Sequence, residues 1–151
     1  DLIRSWRLWY RPSIVTHVDP TREAFRAFAQ RRLEGPVHML NLIRLRERAA
    51  YADGREATGA EAYAAYGREA APFMERNGGH IVWRGQPFFP LIGPESETWD
   101  VAFIAAYPSK AAFIAMIKDP GYQAIVYHRQ AAVADARLYA MAAAEAGGVF
   151  G

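Results

Sequence analysis

Pro36-Val-His-Met-Leu-Asn-Leu-Ile-Arg-Leu-Arg46 is the stretch whose reading decides the fold. Side chains alternate across a strand. Val37, Met39 and Ile43 therefore share one face, and Leu40 and Leu42 the other. A strand apolar on both sides is covered on both sides, which predicts a central strand. Asn41 interrupts it on the Met39/Ile43 face. Asparagine is depleted in strands, and a buried amide needs hydrogen-bond partners. Asn41 therefore has two readings: a polar group orienting a ligand carbonyl, or a structural amide tied to nearby backbone. Parity alone does not decide whether it faces the helices or a second subunit.

Outward from this strand the chain alternates in type. Upstream, Asp19-Pro20 predicts a helix start, with Asp as N-cap and Pro at the first helical position; the helix runs to about Leu33 and stops at Gly35-Pro36. Ile14–Val18 has strand composition without clear alternation. Downstream, residues 47–59 are polar and turn at Asp53-Gly54. A second helix is expected from about Ala60 to Arg76, with Tyr63, Tyr66, Ala70, Phe73 and Met74 on one stripe. Asn77-Gly78-Gly79 ends it, and His80–Gly85 reads as a strand. Pro87 and Pro90 after it suit an edge. Trp99–Tyr107 is a third strand, apolar on both faces except at Asp100. Ser109 caps the next helix, Asp119-Pro-Gly121 interrupts it, and a further helical piece is expected from Tyr122 to about Ala134. Arg137–Met141 is the last strand, before an Ala/Gly-rich tail.

Without the first helix the order is β-α-β-β-α-β, that of a ferredoxin-like α+β fold: a four-stranded antiparallel sheet with helices on one face. The first and third strands are central in that topology. They are the two strands that read as apolar on both sides. The expected organisation is an extension over residues 1–35 carrying one extra N-terminal helix, a ferredoxin-like domain over 36–141, and a tail over 142–151. The open sheet face needs a cover, and a second copy of the same face supplies one as a homodimer.

Residues 36–141 resemble a bacterial family of unknown function, domain-of-unknown-function family 1330, in the dimeric α+β-barrel superfamily. The resemblance rests on His38-Met-Leu-Asn-Leu42, Gly59-Ala-Glu-Ala-Tyr63 with Tyr66, Gly78-Gly79, Trp83-Arg-Gly85 and Trp99-Asp100. It continues through Tyr107-Pro-Ser109, Ala112-Phe113, Met116, Pro120, Tyr122, Arg129 and Asp135. It implies the fold and the dimer, and no activity. The wider superfamily holds cofactor-free monooxygenases, haem-degrading enzymes, isomerases and pure binding proteins, so the fold by itself does not select a function.

Composition narrows the field. At 151 residues, 52% of them apolar, the chain makes one domain with a sizeable core. No cysteine is present, which removes disulfides and thiolate chemistry; the apolar runs are too short to span a bilayer and the cytoplasm is the default expectation, with a trimmed leader left open by a start at Asp1. The net charge of +2 is uneven. Residues 1–35 carry seven Arg against four acids, and the remainder eleven basic against twelve acidic residues. Arg4, Arg7 and Arg11 alternate with Trp6, Trp9 and Tyr10. Three arginines make a weak electrostatic footprint, so a lead-in docking its aromatics on a partner surface is favoured over a nucleic-acid arm.

Candidate chemistry centres on a few polar side chains in the strands and helices. Arg84 and Asp100 lie on strands expected to pair as a hairpin. They are candidates for an ion pair, direct or bridged by Tyr66 or Asn41; Arg84 also suits an anionic ligand. His80 and His128 are the candidate proton carriers, with Asn41 and Asp100 as further catalytic candidates. Tyr63, Tyr66, Trp83, Trp99, Phe103 and Tyr107 are candidates to line a pocket for a flat apolar molecule, with Arg129 beside them; core and interface positions are the competing reading. No histidine has a second ligand at metal spacing, and only His128 stands on a helix where haem would need it. Phosphate-loop, dinucleotide, serine-elbow and zinc motifs are absent. The expectation is a small-molecule-binding homodimer without a cofactor, acting on a carbonyl or aromatic metabolite, with a non-catalytic dimer as the alternative.

Overall fold

The structure, a computed structural model, describes residues 15–150. The lead-in bearing Arg4, Trp6, Arg7, Trp9, Tyr10 and Arg11 lies outside them. Helix α1 (Arg22–Gln30) precedes β1 (Val37–Leu45). Then come α2 (Gly59–Arg76), β2 (His80–Gly85), β3 (Val101–Tyr107), α3 (Lys110–Lys118), α4 (Pro120–Ile125), α5 (Tyr127–Ala132) and β4 (Val133–Ala142). The strands form one antiparallel sheet in the order β2-β3-β1-β4, so β1 and β3 are central. This is the ferredoxin-like α+β arrangement with one extra helix in front.

Local chemistry sets the element ends, in two places differently from expectation. Thr21, not Asp19, caps α1: its hydroxyl accepts from the amide of Ala24 at 3.0 Å. Asp19 instead accepts from Arg129 and Gln130, both at 3.3 Å. The second correction concerns the end of the chain. Residues 131–136 are Ala-Ala-Val-Ala-Asp-Ala, which favours helix. Yet α5 stops at Ala132 and β4 begins at Val133. Pairing with β1 through Leu45↔Val133 and Arg44↔Asp135 buries Val133 and Ala136, and that burial overrides local propensity.

Helix α2 starts with a capping box, Thr58 and Glu61 exchanging side-chain and backbone hydrogen bonds. Its first residue, Gly59, sits against the preceding chain. A Cβ there would lie 1.9 Å from the carbonyl oxygen of Arg46.

Helices pack on the face carrying Val37, Met39, Asn41 and Ile43, whose cross-strand partners on β3 are Tyr107, Ala105, Phe103 and Val101. The core there has two parts. One gathers Val37, Met39, Tyr107, Phe113, Met116 and Tyr122; the other gathers Ile43, Ala62, Ala132, Val133 and Ala136. Phe103 packs against both. The opposite face presents Leu40, Leu42, Ile104, Trp83 and Tyr139, with Trp83 half exposed and Tyr139 more so. No element among the described residues covers it.

Candidate functional site

Between the sheet and the helices lies a cavity of about 960 Å³. Sheet residues Met39, Asn41, Phe103 and Ala105 form its floor, and Tyr63, Tyr66, Gly67 and Ala70 of α2 one wall. Helix α1 and the segment before it form the roof, through His17, Val18, Phe25 and Phe28. Asn41 therefore faces the helices rather than the open sheet face. Its Nδ2 donates to the backbone oxygen of Met39 at 3.0 Å, which uses one of its two amide hydrogens.

A β-bulge sets the side chains of β2. Ile81 lies opposite Ala105, whereas Trp83 lies opposite Ile104 and Arg84 opposite Phe103, with the register shifting at Val82. The extra residue turns Arg84 onto the cavity face and Trp83 onto the open face. Strict alternation from Ile81 gives the reverse.

The candidate Arg84–Asp100 ion pair does not form. Asp100 accepts from the amide of Leu45 at 2.7 Å and donates its own amide to Ile43, clamping the β1 end of the ladder. Arg84 makes no ion pair or hydrogen bond among the described residues, and it reaches the cavity from its exposed rim. Trp99 lies before β3, under the guanidinium of Arg137 at 5.1 Å, away from the cavity.

The tyrosines form a chain. Tyr63 and Tyr66 rings stand 5.7 Å apart, and the hydroxyls of Tyr66 and Tyr122 share a hydrogen bond of 2.7 Å. Burial raises the phenols of Tyr63, Tyr66 and Tyr122 above their ordinary value, so all three stay protonated at neutral pH. The Tyr63 phenol also feels the positive charges of Arg129 and Arg84, which oppose that rise. Arg129 reaches back to the chain start, its Nη1 donating to Val18 O at 2.6 Å and to Asp19.

The histidines separate. His80 is exposed at the cavity rim. His128 is buried on the far side of α5, outside the cavity. Its Nδ1 is 2.6 Å from the hydroxyl of Tyr51, and its Nε2 contacts the carboxylate of Glu69. Both ring nitrogens are engaged, so neither is free to serve as an axial ligand. Among the described residues no three of His, Asp and Glu converge as a metal site requires, and no helix is long and apolar enough to cross a membrane.

The sequence places Phe25, Phe28 and Ala29 on one face of the first helix, but nothing in it marks Phe25 and Phe28 as the roof of a cavity. Sequence reasoning missed Gly67, whose position in a helix interior was the available signal.

The family described as Domain of unknown function (DUF1330) matches over residues 50–144. The chain belongs to this family. A crystal structure of methylated RPA0582 is 59% identical, with a TM-score of 0.84 over 88% of this chain and 98% of that one. A second, of the RPA0582 protein of unknown function from Rhodopseudomonas palustris, is 57% identical with the same score, over 87% and 100%. SnoaB, a cofactor-independent oxygenase from Streptomyces nogalater, aligns at 17% identity and a TM-score of 0.49, over 75% of this chain and 97% of that one. At that distance it bears on neither activity nor substrate here. No curated protein matches the chain. Membership in the DUF1330 family therefore supplies the architecture and leaves the function to the cavity.

Proposed function

We propose that this DUF1330 protein is a homodimer that binds a flat, largely apolar small molecule bearing a carbonyl, in the cavity between sheet and helices. The observation that carries this is the cavity of about 960 Å³ reaching both Asn41 and Arg84. Its size falls within the range of small-molecule sites, and its walls are mainly aromatic and aliphatic with a few polar groups. A fold stabilised by packing alone would fill that space, since interiors pack as densely as organic crystals.

The polar groups suggest polarisation of the ligand rather than proton abstraction. Protonated phenols and the Asn41 amide are hydrogen-bond donors that can hold a carbonyl oxygen. His128 is engaged elsewhere, which leaves His80 at the rim as the candidate proton carrier. No cofactor is required for binding of this kind.

The dimer rests on the open sheet face. Leu40, Leu42, Ile104, Trp83 and Tyr139 form a contiguous apolar patch, and a second copy laid on it gives an isologous interface. A non-catalytic structural dimer is the second reading. It is favoured by the Asn41–Met39 and Tyr66–Tyr122 hydrogen bonds, which tie polar groups to the fold itself.

Calorimetric titration with flat aromatic ketones tests the binding reading, using Asn41→Ala as control. Saturable binding that weakens at least about tenfold in Asn41→Ala supports it, tenfold being about 1.4 kcal/mol. No binding by any ketone at millimolar concentration leaves the structural dimer.

A further inference from the structure

The two ends of the cavity differ, and the difference identifies the ligand's head group. Tyr63 opens the second turn of α2, and Glu75 stands in its last. Twelve residues at about 1.5 Å each place them roughly 18 Å apart along the helix. Strand β2 runs back antiparallel after α2 ends, so Arg84, near its far end, returns towards Tyr63, while His80 stays with Glu75.

Around Tyr63 the hydrogen-bond inventory is one-sided. The Tyr63 hydroxyl has no partner among the described residues, and neither has the Arg84 guanidinium. Arg129 uses only Nη1, on Val18 and Asp19, leaving Nε and Nη2 without partners among them. Asn41 keeps one amide hydrogen. The Tyr63 hydroxyl and the unpartnered Arg129 nitrogens are not both buried and unsatisfied, so they open onto accessible space, and Arg84 is itself exposed. The one carboxylate at this end is engaged, Asp19 taking Arg129 and Gln130, which leaves the neutral Asn41 Oδ1 and Tyr63 hydroxyl as acceptors beside two guanidinium groups. Away from it the lining is mainly apolar, with Met39, Ala105, Phe25, Phe28 and Phe113, and Glu75, His80 and Gln123 at the exposed rim.

We infer that the ligand carries a carboxylate, seated between Arg84, Arg129, Tyr63 and Asn41, with an apolar body running under α1 towards Phe28. This rests on the cavity being a binding site. A planar guanidinium fork presents two parallel N–H groups, which match a carboxylate's two oxygens. A phenol and an amide N–H supply the remaining donors. The apolar stretch beyond selects an acid with an aromatic or aliphatic body over a free inorganic anion.

The test is calorimetric titration of the full chain with 2-naphthoate and with 2-naphthamide, the same shape without the charge, in the wild type and in Arg84→Gln. The acid is expected to bind at least about tenfold more tightly than the amide, and Arg84→Gln to bring the two together by weakening the acid alone. Equal binding of acid and amide by the wild type would overturn the carboxylate while leaving the cavity as a binding site. So would an equal loss of both in Arg84→Gln, or displacement of the naphthoate by an equal concentration of inorganic phosphate. Binding of neither compound would remove the proposed function and the carboxylate with it.

Discussion

At the scale of single residues, His128 and Asp135 show how buried polar groups are held. His128 ties Tyr51 of the loop between β1 and α2 to Glu69 of α2. His128 alone is buried, while Glu69 is half exposed, so removing a partner leaves the imidazole unpaired at about 1–3 kcal/mol, and removing His128 itself adds the loss of its buried ring packing. His128→Ala is therefore expected to lower unfolding stability by about 2 kcal/mol or more in urea, with Tyr51→Phe milder. Asp135 is buried, which raises its pKa. The amides of His17 and Ala136 and the Arg137 guanidinium outweigh that and hold it below the usual carboxylate range. A group depressed in the folded state stabilises the fold above its unfolded pKa, near 4, and loses that contribution as pH falls through the folded value. Stability should therefore fall below about pH 4, and Asp135→Asn should flatten that part of the curve. An unchanged acid limb in Asp135→Asn would show that other carboxylates set it.

Elements were legible where periodicity and punctuation agreed. The two-sided apolarity of β1 and β3 reads directly as a central pair, because coverage on both faces leaves no polar side. Asn77-Gly78 and Ser109 mark helix ends by their backbone chemistry. What stayed hidden came from tertiary choices. The bulge at Val82 inverts the faces of Trp83 and Arg84, and nothing in His80–Gly85 announces it. The alanine run before Asp135 reads as helix until β1 offers it a ladder. Tyr51 meets His128 across 77 positions of sequence, beyond any local pattern.

The same scale governs α1. It buries no residue fully, and it lies over the cavity with Phe28 edge-on to Phe113 at 5.9 Å. Lys110 closes its C-terminal end, Nζ donating to Phe28 O at 3.2 Å, to Ala29 O at 2.8 Å and to Arg31 O. A cation there also complements the helix dipole. Lys110→Met should accelerate hydrogen exchange of α1 amides at least about tenfold, with β1 protection unchanged. Uniform acceleration would mean that Lys110 supports the whole fold rather than the roof.

For the whole molecule, the helix-covered face holds the core and the cavity, and the other face is open, apolar at its centre and flanked by His38, Arg44 and Arg137. Two copies joined through the open faces would bury Leu40, Leu42 and Ile104 while leaving both cavities accessible from their rims. Light scattering at micromolar concentration should return a dimer for the wild type and a monomer for Ile104→Glu, whose charge would otherwise be buried unpaired. A wild-type monomer would reject this assembly.

Whether the cavity is a site or a packing defect is tested most directly at Gly67. It lies in the interior of α2, where glycine costs about 1 kcal/mol relative to alanine. It lines the cavity, and a Cβ there would meet no atom within 4 Å. Gly67 is exposed, and the space above it accepts a larger side chain without a clash. The decisive measurement is calorimetric titration of 2-naphthoate into wild-type protein and into Gly67→Phe, with urea unfolding of both. Gly67→Phe should be at least as stable as the wild type and bind at least about tenfold more weakly, because its ring occupies the cavity. Equal binding by both proteins, or none by the wild type, would contradict a ligand site between sheet and helices.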